Sequence, residues 1–404
     1  MPSIEPATQG RERAESGGAA RTILFLTVFI DLLGFGIVIP FLPMFAKQMK
    51  VGAFGVGAIL AVYSLAQFLC APILGRISDR IGRKPIIMLG LLGSSAGYVI
   101  YGFAASFFWL LLSRAVHGMC AGTISTAQAY VADTTDEKNR AHGMGMIGAA
   151  FGLGFVIGPA LGGVMGQGGL RIPVFFAAAL TFANFIFAAL RLPESHRPDR
   201  SAPVDVRHFI APLIGLPRAL ARHRMARLFA IAFLAAFALA ALEATFALTI
   251  PAVYGYGAFG VGMLLAFAGL VQAITQGYLL RKFVGRIGEA RLIVAGLIAM
   301  AAGFAPIGTI ASHGALLAML AALSLGYGLT SPSIASLISR STERHLQGEV
   351  LGVNQSALSL ARICGPLAGG LIYERFGPAA PYLGGAAVAL LALAIAATAG
   401  SGGA

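Results

Sequence analysis

Two carboxylates in this sequence stand where an apolar environment tolerates them least. Asp31 lies about nine residues into the first long apolar run, about 14 Å deep at the 1.5 Å rise of a helix. Glu243 lies in Ala240-Ala241-Leu242-Glu243-Ala244-Thr245-Phe246, with no base near it in sequence. It is the only acid within any apolar run of the C-terminal half. Ionisable groups inside such runs are costly, so each needs a reason. A carboxyl group at that depth suits the gain and loss of a proton; a structural carboxylate bonded to its neighbours is the plainer alternative for both. Arg114, about seven residues into the fourth run, could bias the protonation of a nearby carboxylate. His117, one turn on, reads as a hydrogen-bonded packing residue, and Arg362 as a structural cation with its guanidinium on nearby carbonyls. No clustered His, Cys or acid motif points to a catalytic site. Cys70, Cys120 and Cys364 all fall within apolar runs without a CxxC pair, so neither a disulfide nor a metal site is expected.

A second kind of chemistry is mechanical. Gly75-Arg76-Ile77-Ser78-Asp79-Arg80-Ile81-Gly82-Arg83-Lys84-Pro85 sets one acid among four cations, with glycines seven apart that suit a tight turn between two helix ends. Asp79 there can cap a helix or pair with an arginine. Positive charge alone would call for neither Asp79 nor the spaced glycines. Further on, Gly154, Gly158 and Gly162 are four apart and share one helix face, where small residues let another helix approach. Pro159 among them removes a backbone bond and permits a bend, and Gly163 follows. This face is expected to move against the other half of the molecule. Candidate cavity-lining residues are Tyr63 with Gln67, Gln272 with Gln276, and Phe246 near Glu243.

The elements that must position these residues are membrane helices. Of 404 residues, 57% are hydrophobic and 11% charged, too few charges for a soluble surface of this size. Apolar runs recur at roughly 22–45, 53–74, 86–105, 107–131, 143–166, 172–190, 228–250, 258–280, 292–311, 315–338, 350–372 and 380–399. Each is long enough to cross about 30 Å of hydrocarbon, and each is continuously apolar rather than alternating, which excludes a β-barrel. The first run is too long for a signal-peptide core and lacks a small-residue cleavage site, so it stays as the first helix. The fold class is therefore all-α, with twelve transmembrane helices.

The net charge of +13 invites a nucleic-acid partner, but its placement argues against one. Of 29 Lys and Arg, 23 fall in alternate loops on one side, whereas the opposite loops hold only Lys47, Lys50, Arg171 and Arg375. That asymmetry puts both termini in the cytoplasm.

The sequence also repeats at an offset near 207. Gly158-Pro159-Ala160-Leu161-Gly162-Gly163 recurs as Gly365-Pro366-Leu367-Ala368-Gly369-Gly370, Gly145 matches Gly352, and Arg80-Ile81-Gly82 matches Arg286-Ile287-Gly288 one residue out. The reading is two pseudo-symmetric six-helix bundles: a cytoplasmic tail at 1–21, expected to be disordered, a bundle at 22–190, a cytoplasmic linker at 191–227 and a bundle at 228–404. The second half of the linker, from Phe209 to Arg227, mixes apolar residues with arginines and suits either the membrane surface or a solvated connection.

The loop around Asp79 resembles the signature of the major facilitator superfamily. Asp31-Leu32-Leu33-Gly34-Phe35-Gly36-Ile37-Val38-Ile39-Pro40 resembles the first-helix motif of its drug:proton antiporter branch. Leu110 to Gly118, centred on Arg114, resembles that branch's buried-arginine motif, and Gly145, Gly154, Gly158, Pro159, Gly162 and Gly163 its antiporter motif. Among members, the sequence is most similar to tetracycline-resistance efflux pumps, closely in its N-terminal half and loosely in its C-terminal half. The resemblance implies a proton-coupled exporter of lipophilic or cationic drug-like molecules. It would work by alternating access as a monomer in the inner (plasma) membrane, with Asp31, Glu243 and Arg114 coupling protons, the Asp79 loop as gate, and the proton gradient in place of any cofactor. The same fold also carries metabolites or sugars. Where those pumps carry an acid in the ninth helix and a histidine in the eighth, this sequence places Met300 and Ala268, which shifts coupling toward Glu243.

Overall fold

The computed structural model describes residues 5–135, 137–195, 223–342 and 347–400. Most of the 191–227 linker lies outside them. The described residues form helices and short turns, with no strand among them.

Eleven helices are long and apolar enough to cross a membrane, at 19 to 30 residues each. They are α1 (Ala20–Gln48), α2 (Ala53–Ile81), α3 (Arg83–Phe103), α4 (Phe107–Thr134), α5 (Gly143–Gly168), α6 (Ile172–Arg191), α7 (Met225–Tyr254), α8 (Ala258–Ile287), α10 (His313–Arg340), α11 (Val350–Phe376) and α12 (Ala380–Thr398). The ninth place is held by α9 (Glu289–Phe304), packed against α10 and α12. With 16 residues it spans only about 24 Å. It begins three residues before the run at 292–311, with an acid, Glu289, in its first turn, and ends early because Ala305-Pro306 opens a series of turns. The outer surface carries Phe103, Phe108, Leu190 and Phe376, each more than 60% exposed, as contact with lipid tails requires.

Several boundaries differ from expectation. The first helix begins at Glu5, not near 22, because Pro6 suits a helix start and the stretch after it is rich in good helix formers. α2 runs on to Ile81, so Gly75 lies inside a helix rather than at a turn. The turn between α2 and α3 is Gly82 alone, at φ 107°, where a side chain would be strained. Gly288 repeats this between α8 and α9 at φ 82°.

The pseudo-symmetry extends to charge. At the linker-side corner of the N-terminal six helices, Arg83 Nε bonds Asp133 Oδ2 at 2.9 Å. At the matching corner of the C-terminal six, the acid and the base have exchanged places: Glu289 Oε1 accepts from Arg340 Nη1 at 2.7 Å. Each pair ties the start of one helix to the end of the next, and the fixed geometry of the corner needs opposite charges but not a given order of them.

Glycine faces set how the halves meet. A Cβ on Gly154, Gly158 or Gly162 would collide with Leu32, Gly36 and Ile37 of α1. Gly365 and Gly369 oppose Phe237, Ala240 and Ala241 of α7 in the same way. The regular face on α5 thus packs within its own half. The contact between halves falls to its neighbours: Pro159 and Gly163 meet Gly262 of α8, while Gly370 and Pro366 meet Ala53 and Gly57 of α2.

Candidate functional site

The two seams are closed at the end away from the linker and part toward the linker side. Along α5 and α8, Gly262 touches Pro159, a Cβ on Gly269 would stand 3.0 Å from the Phe155 carbonyl, and a Cβ on Gly152 would meet Ala273 at 3.7 Å. Beyond that, Gly148 and Gly145 face open space, as does Gly352, the counterpart of Gly145. Small residues permit backbone contact at the closed end; the linker-side ends of the helices splay.

Between the halves lies a cavity of about 210 Å³. Asp31, Tyr63, Gln67 and His117 line it from the N-terminal six helices, and Glu243 and Arg362 from the C-terminal six. The fold thus brings together two acids some 210 residues apart, from α1 and α7. Asp31 is half-buried, and its Oδ1 has no hydrogen-bond partner among the described residues. Glu243 and Arg362 are exposed, and the surface they expose belongs to this cavity. Among the described residues neither stands in an ion pair.

The acids do not occupy equivalent positions. The packing of Gly162 on Ile37 and of Gly369 on Ala241 pairs α1 with α7. On that register the counterpart of Glu243 is Ile39, eight residues beyond Asp31. Asp31 therefore lies about 12 Å closer to the linker side than Glu243 does.

The N-terminal wall is aromatic. The His117 ring packs edge-on against Tyr98, Tyr63 and Phe35, with centroids 4.8, 5.1 and 5.9 Å away. His117 thus packs as expected and also forms a cavity wall, but its Nδ1 lacks the expected hydrogen bond among the described residues. Gln67 reaches the Ala121 carbonyl through Nε2 at 3.4 Å. Arg114 is buried and does not line the cavity; its guanidinium lies 5.7 and 5.2 Å from the centroids of Tyr98 and Tyr101, with Tyr98 and Tyr63 each within electrostatic reach of both Arg114 and Asp31.

Other expected cavity residues are elsewhere. Phe246 is 1% exposed: although it is less than one turn from Glu243 on α7, it packs into the core of the C-terminal six helices and not into the cavity. Gln272 and Gln276 are absent from the cavity lining. A π-turn at Thr275–Leu279 takes in Gln276 and rotates the linker-side end of α8 relative to the stretch that holds Gln272.

The Asp79 cluster is a knot within the N-terminal six helices. Arg83 pairs with Asp79 and Asp133 and donates to Ser78 Oγ at 2.7 Å. Glu194 closes the start of α3, accepting from the backbone amides of Arg83 at 2.7 Å and Lys84 at 3.1 Å. A carboxylate there meets the positive end of the helix. Lys84 Nζ donates to the Ala189 carbonyl at 2.7 Å. Sequence reading missed Glu194 because it lies 111 residues from the amide it holds.

At the sealed end, Glu374 of α11 was also missed. Its Oε2 accepts the backbone N–H of Phe54, in the first turn of α2, at 3.0 Å. The apolar run at 350–372 stops two residues short of it.

Six helices closing on six others around one central cavity define a multi-pass membrane transport protein. A profile of the Major Facilitator Superfamily matches residues 24–363 and 277–400. The chain belongs to that superfamily. It is 32% identical over 357 residues to the tetracycline resistance protein, class C, of Escherichia coli, covering 88% of this chain and 89% of that protein. It is 31% identical over 359 residues to multidrug resistance protein 1 of Bacillus subtilis (strain 168), covering 87% and 89%. Among solved structures, the human organic anion transporter MFSD10 (TETRAN) superposes with a TM-score of 0.70 at 27% identity, over 94% of this chain and 99% of that one. The nucleoside transporter NupG superposes with a TM-score of 0.78 at 13% identity, over 94% and 98%, a likeness of fold alone.

Proposed function

We propose that this protein exports lipophilic drug-like molecules in exchange for protons, by alternating access, from the inner membrane of its cell. The observation that carries this reading is the placement of Asp31 and Glu243, one from each half, on a single cavity that is sealed at one end. Relatives that are tetracycline and multidrug resistance proteins support the direction of transport. The basic loops favour a cytoplasmic linker and cytoplasmic termini, so the cavity parts toward the cytoplasm, where an exporter collects its substrate. The halves act as two bundles, at 22–190 and 228–404, joined by 191–227. Asp31 carries a proton; Arg114 bears on it through Tyr98 and Tyr63. Tyr63 and Gln67 touch substrate, and the Asp79 knot steadies the cytoplasmic corner when the halves close there. The chain works as a monomer on the proton gradient.

The test is a panel of drugs against cells with and without expression, paired with internal pH in everted vesicles. Expression should raise resistance to lipophilic drugs, and adding such a drug should release protons from acidified vesicles. Drug entry accompanied by proton uptake, or no response to any drug, would refute the proposal.

A further inference from the structure

Glu243 and Arg362 are the two charges that the C-terminal half presents to the cavity. Each sits inside a membrane helix, where an uncompensated charge is costly. They do not compensate each other by contact, since no ion pair within 4.0 Å joins them. The register explains why. Gly365 of α11 packs on Ala240 of α7, and the two helices run the same way. Arg362 is three residues before that contact and Glu243 three residues after it. Their backbones therefore differ in depth by about 9 Å, with Arg362 on the linker side. The carbonyls of α11 do not hold the guanidinium either; among the described residues it has no hydrogen-bond partner, contrary to the structural role expected from sequence.

The opposite wall lacks charge at the matching positions. The counterpart of Arg362, at the offset of 207, is Phe155, and that of Glu243, on the packing register of α1 and α7, is Ile39; both line the cavity. One side thus offers a ring and an aliphatic chain where the other offers a cation and an anion. We propose that Arg362 and Glu243 form a two-pole subsite for zwitterionic amphiphiles. Arg362 takes the anionic group, Glu243 takes the cationic group, and the apolar body lies on Phe155 and Ile39. A purely cationic ligand would satisfy Glu243 but leave Arg362 beside a like charge. A guanidinium gives a carboxylate two parallel charge-assisted hydrogen bonds, which neutral or esterified groups cannot replace. Asp31 is left to the proton; by the same registers it lies on the N-terminal wall about 3 Å to the linker side of Arg362. This assignment rests on the cavity being the substrate path.

Rhodamine B and its ethyl ester test it. The first carries a carboxylate and a delocalised cation; the second keeps the cation and masks the carboxylate. Binding to the purified full-length protein in nanodiscs is read by fluorescence anisotropy against empty nanodiscs. The wild type should bind the free acid roughly tenfold tighter than the ester, a comparison that needs no variant. Arg362→Gln should weaken the acid about tenfold and leave the ester unchanged or tighter, while Arg362→Lys should keep part of the preference. Glu243→Gln should weaken both. Equal wild-type affinities, or an intact preference in Arg362→Gln, would overturn the subsite. If the ester is bound and exported as well as the acid, drug export stands and the subsite falls. If neither dye is bound or exported, both fall.

Discussion

Glu374 holds Phe54 across the boundary between the halves: the carboxylate of α11 accepts the backbone N–H in the first turn of α2 at 3.0 Å. The contact closes the seam with a charge rather than with packing alone. A carboxylate at a helix start contributes about 1 kcal/mol through its hydrogen bond and the helix dipole.

Glu374→Ala should therefore populate conformations open at that end roughly fivefold more, with the fold retained. Spin labels at Lys50 and Phe376, read by double electron–electron resonance, should gain a longer-distance population. An unchanged distance distribution would mean that the glycine contacts alone keep the seam shut.

Glycine substitutions should separate folding from opening. A Cβ at Gly158 would stand 2.8 Å from the Gly36 backbone, so Gly158→Val should destabilise the N-terminal six helices by about 2 kcal/mol. Gly148 faces open space, and Gly148→Ala should leave stability unchanged. Thermal unfolding followed by size-exclusion chromatography compares them; equal melting would argue against the tight packing of α1 on α5.

Asp79→Asn should impair export while the protein stays in the membrane. The Asp79 side chain is 50% exposed, and its loss leaves Arg83 held by Asp133 and Ser78. The cost in stability is about 1 kcal/mol or less, whereas the linker-side corner loses one of its acids beside Arg76, Arg80 and Lys84. Normal efflux by this variant would remove the gate from the mechanism.

Asp31→Asn should abolish drug-driven proton release for every substrate. Its Oδ1 has no hydrogen-bond partner among the described residues to stand in as a proton acceptor. The measurement is pH change in proteoliposomes on adding a cationic and a neutral drug. Glu243→Gln should cost the cationic drug more, since a carboxylate lining the cavity offsets the desolvation of a cation. Persistent coupling in Asp31→Asn would refute antiport through this residue.

Orientation is checked with single cysteines at Ser201 and Ser312 in a cysteine-free background. The first should react with an impermeant maleimide only from the cytoplasm and the second only from outside. Reaction of both from outside would overturn the assignment.

The sequence by itself determined the class of fold. Twelve apolar runs, alternating basic loops and the repeated Gly-Pro-x-x-Gly-Gly are local or periodic signals, and hydrocarbon leaves a helix no alternative for its backbone polar groups. It also marked Asp31 and Glu243, because a charge inside an apolar run stands out whatever its neighbours are. Tertiary structure alone decided which charges meet. Arg362 reads as structural along the chain, yet it opens onto the cavity beside Glu243 because α11 packs on α7 at Gly365. Gln272 and Gln276 share a face in an ideal helix, but a π-turn at Thr275–Leu279 takes in Gln276, and neither lines the cavity. Glu194 and Glu374 close helix ends 111 and 320 residues away. Such contacts leave no periodic trace, because a cap is defined by the helix end it reaches in space and not by the residues beside it in sequence.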